Sequence, residues 1–108
     1  MNINSYYILN DGSLHYGLCA AELFMSPFFG DVVNITQEKP MCRISGMNIC
    51  FQKEGSKEWR VITTDMIHTS GLRFEINSCG ISKSKNEAIK RCDVALMHLR
   101  SKLIRDNA

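Results

Sequence analysis

The strongest structural pattern in the sequence lies at its C-terminal end and predicts a capped amphipathic helix. Ser84 and Glu87 have the Ser-x-x-Glu spacing of a capping box, which places the start of a helix at residue 85 and its end at about residue 105. At about 100° per residue, its small and apolar side chains fall within a stripe about 120° wide. A stripe this wide needs an apolar surface to cover it, so we expect the helix to lie lengthwise on a sheet. The stripe consists of Ala88, Ile89, Cys92, Ala95, Leu96, Leu99 and Leu103.

The sequence before this helix is predicted to form the sheet. Segments rich in β-branched and aromatic residues alternate with turn sequences such as Asn10-Asp11-Gly12 and Thr69-Ser70-Gly71. The fold class is therefore α+β, with an antiparallel sheet of about four to six strands packed against one long C-terminal helix. A short helix competes with a return strand over residues 18–25. Strands are predicted at residues 6–9, 13–16, 32–36, 41–51, 59–64 and 72–76.

Three details of these strands can be checked against the structure. Residues 37–40 are predicted to form a turn. In the strand at 41–51, the apolar residues before and after Gly46 fall on opposite faces under strict alternation, and a one-residue bulge at Gly46 would bring them to one face. The alternation of apolar and charged residues over 72–76 predicts a sheet with one dry face and one wet face.

Length and charge set broad limits on the protein. With 108 residues the chain is expected to be one domain spanning 1–108. Thirteen basic against eleven acidic residues leave a net charge of +2, well short of the excess that phosphate binding usually requires. The charge is uneven, because residues 80–108 contain seven basic and three acidic residues.

The cysteine pattern favours a reducing compartment. The five cysteines include no C-x-x-C pair, and the first residues have neither the basic nor the apolar part of a signal peptide. We therefore expect reduced, buried thiols in a cytoplasmic protein. No run of apolar residues in the sequence is long enough for a membrane span, so no membrane partner is expected. The cysteines are Cys19, Cys42, Cys50, Cys79 and Cys92.

No catalytic or metal-binding motif stands out in the sequence. Cys79, which precedes Gly80 and is near a helix start, is the one thiol whose position could lower its pKa, but a structural role at a strand end is preferred. Asp65-x-x-His68 offers only two metal ligands, and two such residues at the end of a strand more often belong to a turn, which is the preferred interpretation. The acidic residues are predicted to lie on turns or wet faces. The protein is therefore predicted to be no enzyme, with no catalytic residues, no metal and no cofactor.

The segment 80–90 resembles the start of the last helix in double-stranded-RNA-binding domains, where a Ser-Lys-Lys-x-x-Ala-Lys pattern opens the helix. In that family the lysines meet phosphates across a groove. The resemblance implies this role for Lys83, Lys85 and Lys90, although the lysines are not adjacent here.

The C-terminal part from Ser84 onward also resembles small accessory proteins of phages and mobile elements, including some anti-CRISPR proteins of the type I class. Several of these have a few strands followed by a Ser/Thr-x-x-Glu-Ala helix start and a long helix with a basic tail. This resemblance implies a protein that inhibits a host defence complex by stoichiometric binding.

The leading functional prediction is thus a non-enzymatic protein-binding module, with a host complex or a second copy as partner. It is motivated by apolar residues in excess of what one small core needs to bury, because large aromatics and Met anchor interfaces. The alternative is a small nucleic-acid-binding protein that uses the basic helix. The N-terminal residues in this excess are Tyr6, Tyr7, Phe24, Met25, Phe28 and Phe29. The residues predicted to contact a partner are Lys83, Lys85, Lys90, Val94, Met97, Arg100, Lys102 and Arg105.

Overall fold

The computed structural model describes residues 4–8, 14–16, 31–39 and 47–107, which form a sheet and a long helix. This arrangement confirms the α+β class and the predicted C-terminal helix. The strands are β1 (Asn4–Ile8), β2 (Leu14–Tyr16), β3 (Val32–Glu38), β4 (Asn48–Lys53), β5 (Trp59–Thr69) and β6 (Leu72–Ser82), and the helix is α1 (Lys85–Asp106).

The described strands form one sheet in the order β2-β1-β6-β5-β4-β3. Neighbouring strands are antiparallel, as predicted, except that β1 runs parallel to β6. The predicted N-terminal hairpin is confirmed by the β1–β2 pairing, and it joins the sheet through β1. Tyr6 of β1 lies beside Ile76 of β6 in this parallel pair. The predicted turn at residues 10–12 lies outside the described residues, as do residues 18–25 and the predicted bulge at Gly46.

The β5–β6 hairpin forms the centre of the sheet. Its tight turn lies at Ser70 and Gly71, both with positive φ (51° and 76°), which confirms the predicted turn. Both strands are longer than predicted and pair from Trp59 to Ser82. The extra length contains polar residues such as Asn77, which is fully buried. The sequence pattern ended these strands too early because their polar side chains are accommodated by hydrogen bonds inside the protein.

Strand β3 also corrects one prediction. Gln37 and Glu38 were expected to lie in a turn, but they pair with Ile49 and Asn48 of β4. These two residues have low β propensity, and the pairing with β4 overrides it.

Helix α1 begins where the capping box predicts. Ser84 has extended backbone geometry, and its hydroxyl accepts from the Glu87 N–H at 3.3 Å. The buried side of the helix is the predicted stripe, with Leu96 and Leu99 buried and Ala95 half-buried. The lengthwise packing of helix on sheet is therefore confirmed.

Two apolar clusters hold α1 to the sheet. The first joins the C-terminal half of the helix to β5 and β6, with Tyr6 and Ile8 packed against it, and consists of Ile67, Phe74, Ile76, Leu96, Leu99 and Leu103. The second joins the N-terminal half to β4 and β5, with Trp59 at its margin, and consists of Cys50, Val61, Ala88, Ile89 and Cys92.

The opposite face of the sheet is only partly wet. Arg73 is exposed and Phe74 and Ile76 are buried, as the alternation predicts. Further along, however, Ile62 and Cys79 are buried on the face that points away from α1. The prediction of one dry and one wet face therefore holds only over residues 73–76, since Leu72 at the β5–β6 turn is 43 % exposed.

Gly80 marks the closest approach of α1 to the sheet. A Cβ atom at this position would collide with the Ala88 carbonyl oxygen and would lie 3.0 Å from the Cys92 backbone nitrogen. These neighbours are backbone atoms of the helix, so they cannot move aside as a flexible side chain can. A residue without a side chain is therefore required for this helix position.

We predict that Gly80→Ala lowers the free energy of unfolding by about 2–3 kcal/mol, because α1 has to move off the sheet. Ser82→Ala, two residues further along the same strand face, is the control and should change it by less than about 0.5 kcal/mol. Urea unfolding followed by circular dichroism measures both. Equal stability of Gly80→Ala and the unsubstituted protein would contradict the close approach.

Candidate protein-binding surface on the helix

The side of α1 that points away from the sheet carries a second, narrower set of apolar residues. Val94, Met97 and Ile104, together with the polar Ser101, occupy positions i, i+3, i+10 and i+7 of one helix face, and these four residues are called the outer stripe. The Val94 and Ile104 side chains are 44 % and 40 % exposed, and Met97 is half-buried. Helix faces turned to water are usually polar, so the apolar side chains of this stripe depart from the usual pattern.

A shallow groove follows the outer stripe. It has a volume of about 350 Å³, and Val94, Met97, His98 and Ser101 line it. The groove is open to solvent, and two of its four lining side chains, Val94 and Met97, are apolar.

Exposed cations lie beside this groove. Lys90 and Arg105 are on the same side of the helix as the outer stripe, one near each end, and both are exposed. Neither forms an ion pair with any of the residues that the structure describes, although the charge of Arg105, after the hydrogen bond and charge of Lys102, contributes to lowering the pKa of Asp106. Lys83, which precedes the helix, is also exposed. Of the eight residues predicted to contact a partner, Lys90, Val94, Met97 and Arg105 are therefore brought together around one groove.

Lys85 forms an ion pair and a cation–π contact within the molecule. Its Nζ lies 2.9 Å from Glu38 Oε1 and 5.3 Å from the centre of the Trp59 ring. The hydrogen bond to Glu38 raises the pKa of Lys85 above its ordinary value. This contact fastens the N-terminal end of α1 to strand β3 on the far side of β4, so Lys85 contributes to assembly of the fold.

Arg100 and Lys102 also have partners inside the chain. The Arg100 Nε lies 4.0 Å from Asp65 Oδ2, and the Lys102 Nζ lies 2.7 Å from Asp106 Oδ2. The hydrogen bond from Lys102 lowers the pKa of Asp106. The structure thus separates these two cations from the groove residues, since each already meets a carboxylate.

Two acidic residues correct the prediction that acids lie on turns or wet faces. Asp65 on β5 and Asp93 on α1 are both buried. Asp65 accepts a hydrogen bond from the Met66 N–H at 2.9 Å and faces Arg100. The pairing of Asp65 with a cation 35 positions later in the chain leaves no local sequence pattern, so sequence reasoning missed it.

The described thiols are poorly suited to nucleophilic chemistry. Burial raises the pKa of Cys50 to about 11 and the pKa of Cys79 and Cys92 to about 12, from an ordinary value of 9.0. The expectation that the position of Cys79 could lower its pKa is therefore wrong, whereas its structural role agrees with its burial. Because the folded-state pKa values lie above the unfolded ones, these thiols stabilise the fold below about pH 9, and that contribution is lost as the pH rises toward 11 to 12.

The possible ligands Asp65 and His68 are not brought together. They lie on opposite faces of β5, with the carboxylate buried toward α1 and the imidazole exposed. Within residues 4–8, 14–16, 31–39 and 47–107, no group of three or more His, Cys, Asp or Glu side chains could hold a metal ion.

Helix α1 is too polar to cross a membrane, and no other described segment is a helix of sufficient length and apolarity. Comparison with family models, curated proteins and solved structures found no match to this chain.

We predict that in a Cys19→Ser/Cys42→Ser variant the remaining three thiols are unreactive toward DTNB at pH 8. A thiol with a pKa near 11 has only about one thiolate per thousand molecules at that pH, and burial blocks access to it. The absorbance at 412 nm should rise slowly in buffer and at once in denaturant. Rapid reaction of any thiol in the native protein would contradict the burial.

A second prediction separates the structural from the exposed arginine. Arg100→Met should lower the free energy of unfolding by about 1 kcal/mol, because the buried Asp65 carboxylate loses a nearby positive charge. Arg105→Met, an exposed position on the same helix, is the matched control and should change it by less than about 0.5 kcal/mol. Urea unfolding of both variants is the measurement, and equal losses would contradict a structural role for Arg100.

Proposed function

We propose that this protein is a non-enzymatic protein-binding module that acts by surface contact through the outer stripe of α1. The observation that carries the proposal is the combination of an apolar groove at Val94 and Met97 with exposed cations at Lys90 and Arg105. Apolar side chains in a groove supply contact area, and charges around it supply orientation and choice of partner.

The partner that fits this surface is an amphipathic segment with acidic flanks. A helix laid along α1 can place apolar side chains at i, i+3 and i+7 into the groove, which is the helix-in-groove mode of recognition. Acidic residues beside its apolar face would then meet Lys90 at one end and Arg105 at the other. A basic segment would be repelled by the same two residues.

An inhibitor of a host defence complex is the specific form of this proposal that the resemblance to phage accessory proteins favours. Such an inhibitor needs a stable fold and a contact surface but no chemistry. The raised pKa values of the described thiols and the open groove are compatible with that requirement.

Binding of nucleic acid is the alternative, and the ion pairs of α1 weigh against it. Lys85, Arg100 and Lys102 already lie within 4.0 Å of carboxylates, which reduce the net positive charge that these side chains offer to phosphate. The cations left are few for an interaction whose affinity grows with the number of phosphates neutralised.

The direct test is a titration of methyl-labelled protein with a designed peptide. The peptide is an 18-residue amphipathic helix with leucine on one face and glutamate on its flanks, and its counterpart has lysine in place of glutamate. We expect the methyl resonances of Val94, Met97 and Ile104 to shift with the acidic peptide and not with the basic one. Shifts confined to other methyl groups, or none up to about 1 mM peptide, would contradict the proposal.

A matched pair of variants ties the binding to the groove. Val94→Glu should weaken binding of the acidic peptide about tenfold or more, because it places a like charge at the centre of the contact. Leu72→Glu is the control, since Leu72 is similarly exposed (43 % against 44 %) but lies at the β5–β6 turn. Equal weakening by both variants would show that the peptide binds without using the outer stripe.

The same pair of variants serves to search for the natural partner in lysate of the source cell. A protein captured by the unsubstituted chain and by Leu72→Glu, but lost with Val94→Glu, is the expected result. A gel-shift series with DNA and RNA duplexes at low salt tests the alternative. A shift that Lys90→Glu/Arg105→Glu abolishes would favour nucleic-acid binding.

A further inference from the structure

Strand β3 is the outermost of the described strands on the side of the sheet away from β1. Of the described strands, only β4 pairs with it, so the backbone groups on its outer side meet none of the described sheet. Val33 and Ile35 on this strand are 55 % and 57 % exposed, more than any other large apolar side chain in the described ranges. An exposed edge strand with apolar side chains is a template for pairing with a further strand.

The fold holds β3 in place at both ends and in the middle. The Glu54 N–H donates to the Asp31 carbonyl at 2.9 Å, and Asn34 Nδ2 donates to Gln52 Oε1 at 3.0 Å. At the other end, Glu38 is paired with Lys85 of α1. An incoming strand would therefore meet a preorganised edge and would not have to order it.

The strand has few of the features that protect edges from pairing. No lysine or proline lies between Val32 and Glu38. A register shift occurs between Val32 and Asn34, near the beginning of the strand, and Asn34 to Glu38 pair regularly with β4. The regular part is long enough for an intermolecular ladder.

We propose that β3 pairs antiparallel with β3 of a second copy of this chain, so that the two sheets become continuous. The charges at the two ends of β3 indicate that the pairing strand is a second β3. Asp31 precedes the strand and Lys39 follows it, and both are exposed. Antiparallel self-pairing brings Asp31 of each copy toward Lys39 of the other, whereas parallel pairing would place like charges together. This strand is thus complementary to itself.

A two-fold axis through the pair of strands also brings exposed apolar side chains of the two copies into contact. With the axis near Ile35 and perpendicular to the sheet, the two Ile35 side chains lie beside each other on one face, and each shields the other from water. The contact closes after two copies, because each β3 edge is used once. This inference is independent of the proposed function, since it uses neither the outer stripe nor its flanking cations.

Sedimentation velocity over about 1 μM to 1 mM protein tests the pairing. The unsubstituted chain should pass from monomer to dimer, and Ile35→Lys should raise the dissociation constant about tenfold or more. Val94→Lys, on the outer face of α1, is the control and should leave it unchanged. Ile35→Thr is the second variant and keeps high strand propensity, so its weaker dimer cannot be attributed to loss of the strand.

Charge reversal tests the orientation of the strands. Asp31→Lys and Lys39→Asp should each raise the dissociation constant about tenfold, because each replaces two attractive contacts by repulsive ones, and the double variant should return it to within about twofold. A monomer at every concentration, a dimer unaffected by Ile35→Lys, a double variant no better than the single ones, or growth into filaments would each overturn the proposal.

Discussion

The packing of α1 across β5 and β6 is the contact on which the rest of this structure depends. Leu96 and Leu99 fill the space over Ile67, Phe74 and Ile76, and together they form the larger apolar cluster of the described chain. Burying side chains of this size contributes about 1.5–3 kcal/mol each, so this contact supplies a large part of the stability of the described chain. The hydrophobic face of the sheet would otherwise lie open to water.

A buried polar network sets the position of the helix within that contact. The Ser78 hydroxyl donates to the Cys92 carbonyl at 2.8 Å, and the Cys92 thiol donates to Thr63 Oγ1 at 3.3 Å. Thr63 in turn donates to Asn48 Oδ1, which links α1, β6, β5 and β4 in one chain of hydrogen bonds. Apolar packing alone permits sliding, whereas a displaced helix would leave these buried groups without partners, at a cost of about 1–3 kcal/mol for each group. Gly80 then allows the helix backbone to come close enough for the network to form.

The elements that could be predicted from the sequence are those encoded locally. The capping box at Ser84 and the stripe through Leu96 depend on residues within a few turns of each other, and the turn at Ser70 and Gly71 depends on two adjacent residues. The parallel pairing of β1 with β6 joins segments about 70 residues apart, and no pattern in either strand specifies that neighbour. Burial of Asp65 is equally non-local, since it depends on Arg100 arriving from the helix.

The candidate binding surface likewise has one part that is encoded locally in the sequence and another that depends on distant residues. The outer stripe could be predicted in part, because Val94 and Met97 interrupt the polar side of a helix whose period is known. Which cations surround it could not, since a lysine on a helix looks the same in sequence whether it is solvated or paired to Glu38 of a distant strand. The structure makes this distinction by leaving Lys90 and Arg105 exposed and engaging Lys85, Arg100 and Lys102.

The ion pairs of Lys85, Arg100 and Lys102 have two effects at once. They stabilise the fold, and they reduce the number of unpaired cations on the surface of the helix. The ion pair of Lys85 holds β3 to α1, so the same contact that removes a cation from the helix surface also fixes the edge strand at Glu38. What remains exposed is an apolar groove with a cation near each end, and an edge strand with an acid at one end and a base at the other. Both are the features on which the two proposed contacts depend. The described thiols, by contrast, are buried, and Asp65 and His68 lie on opposite faces of β5.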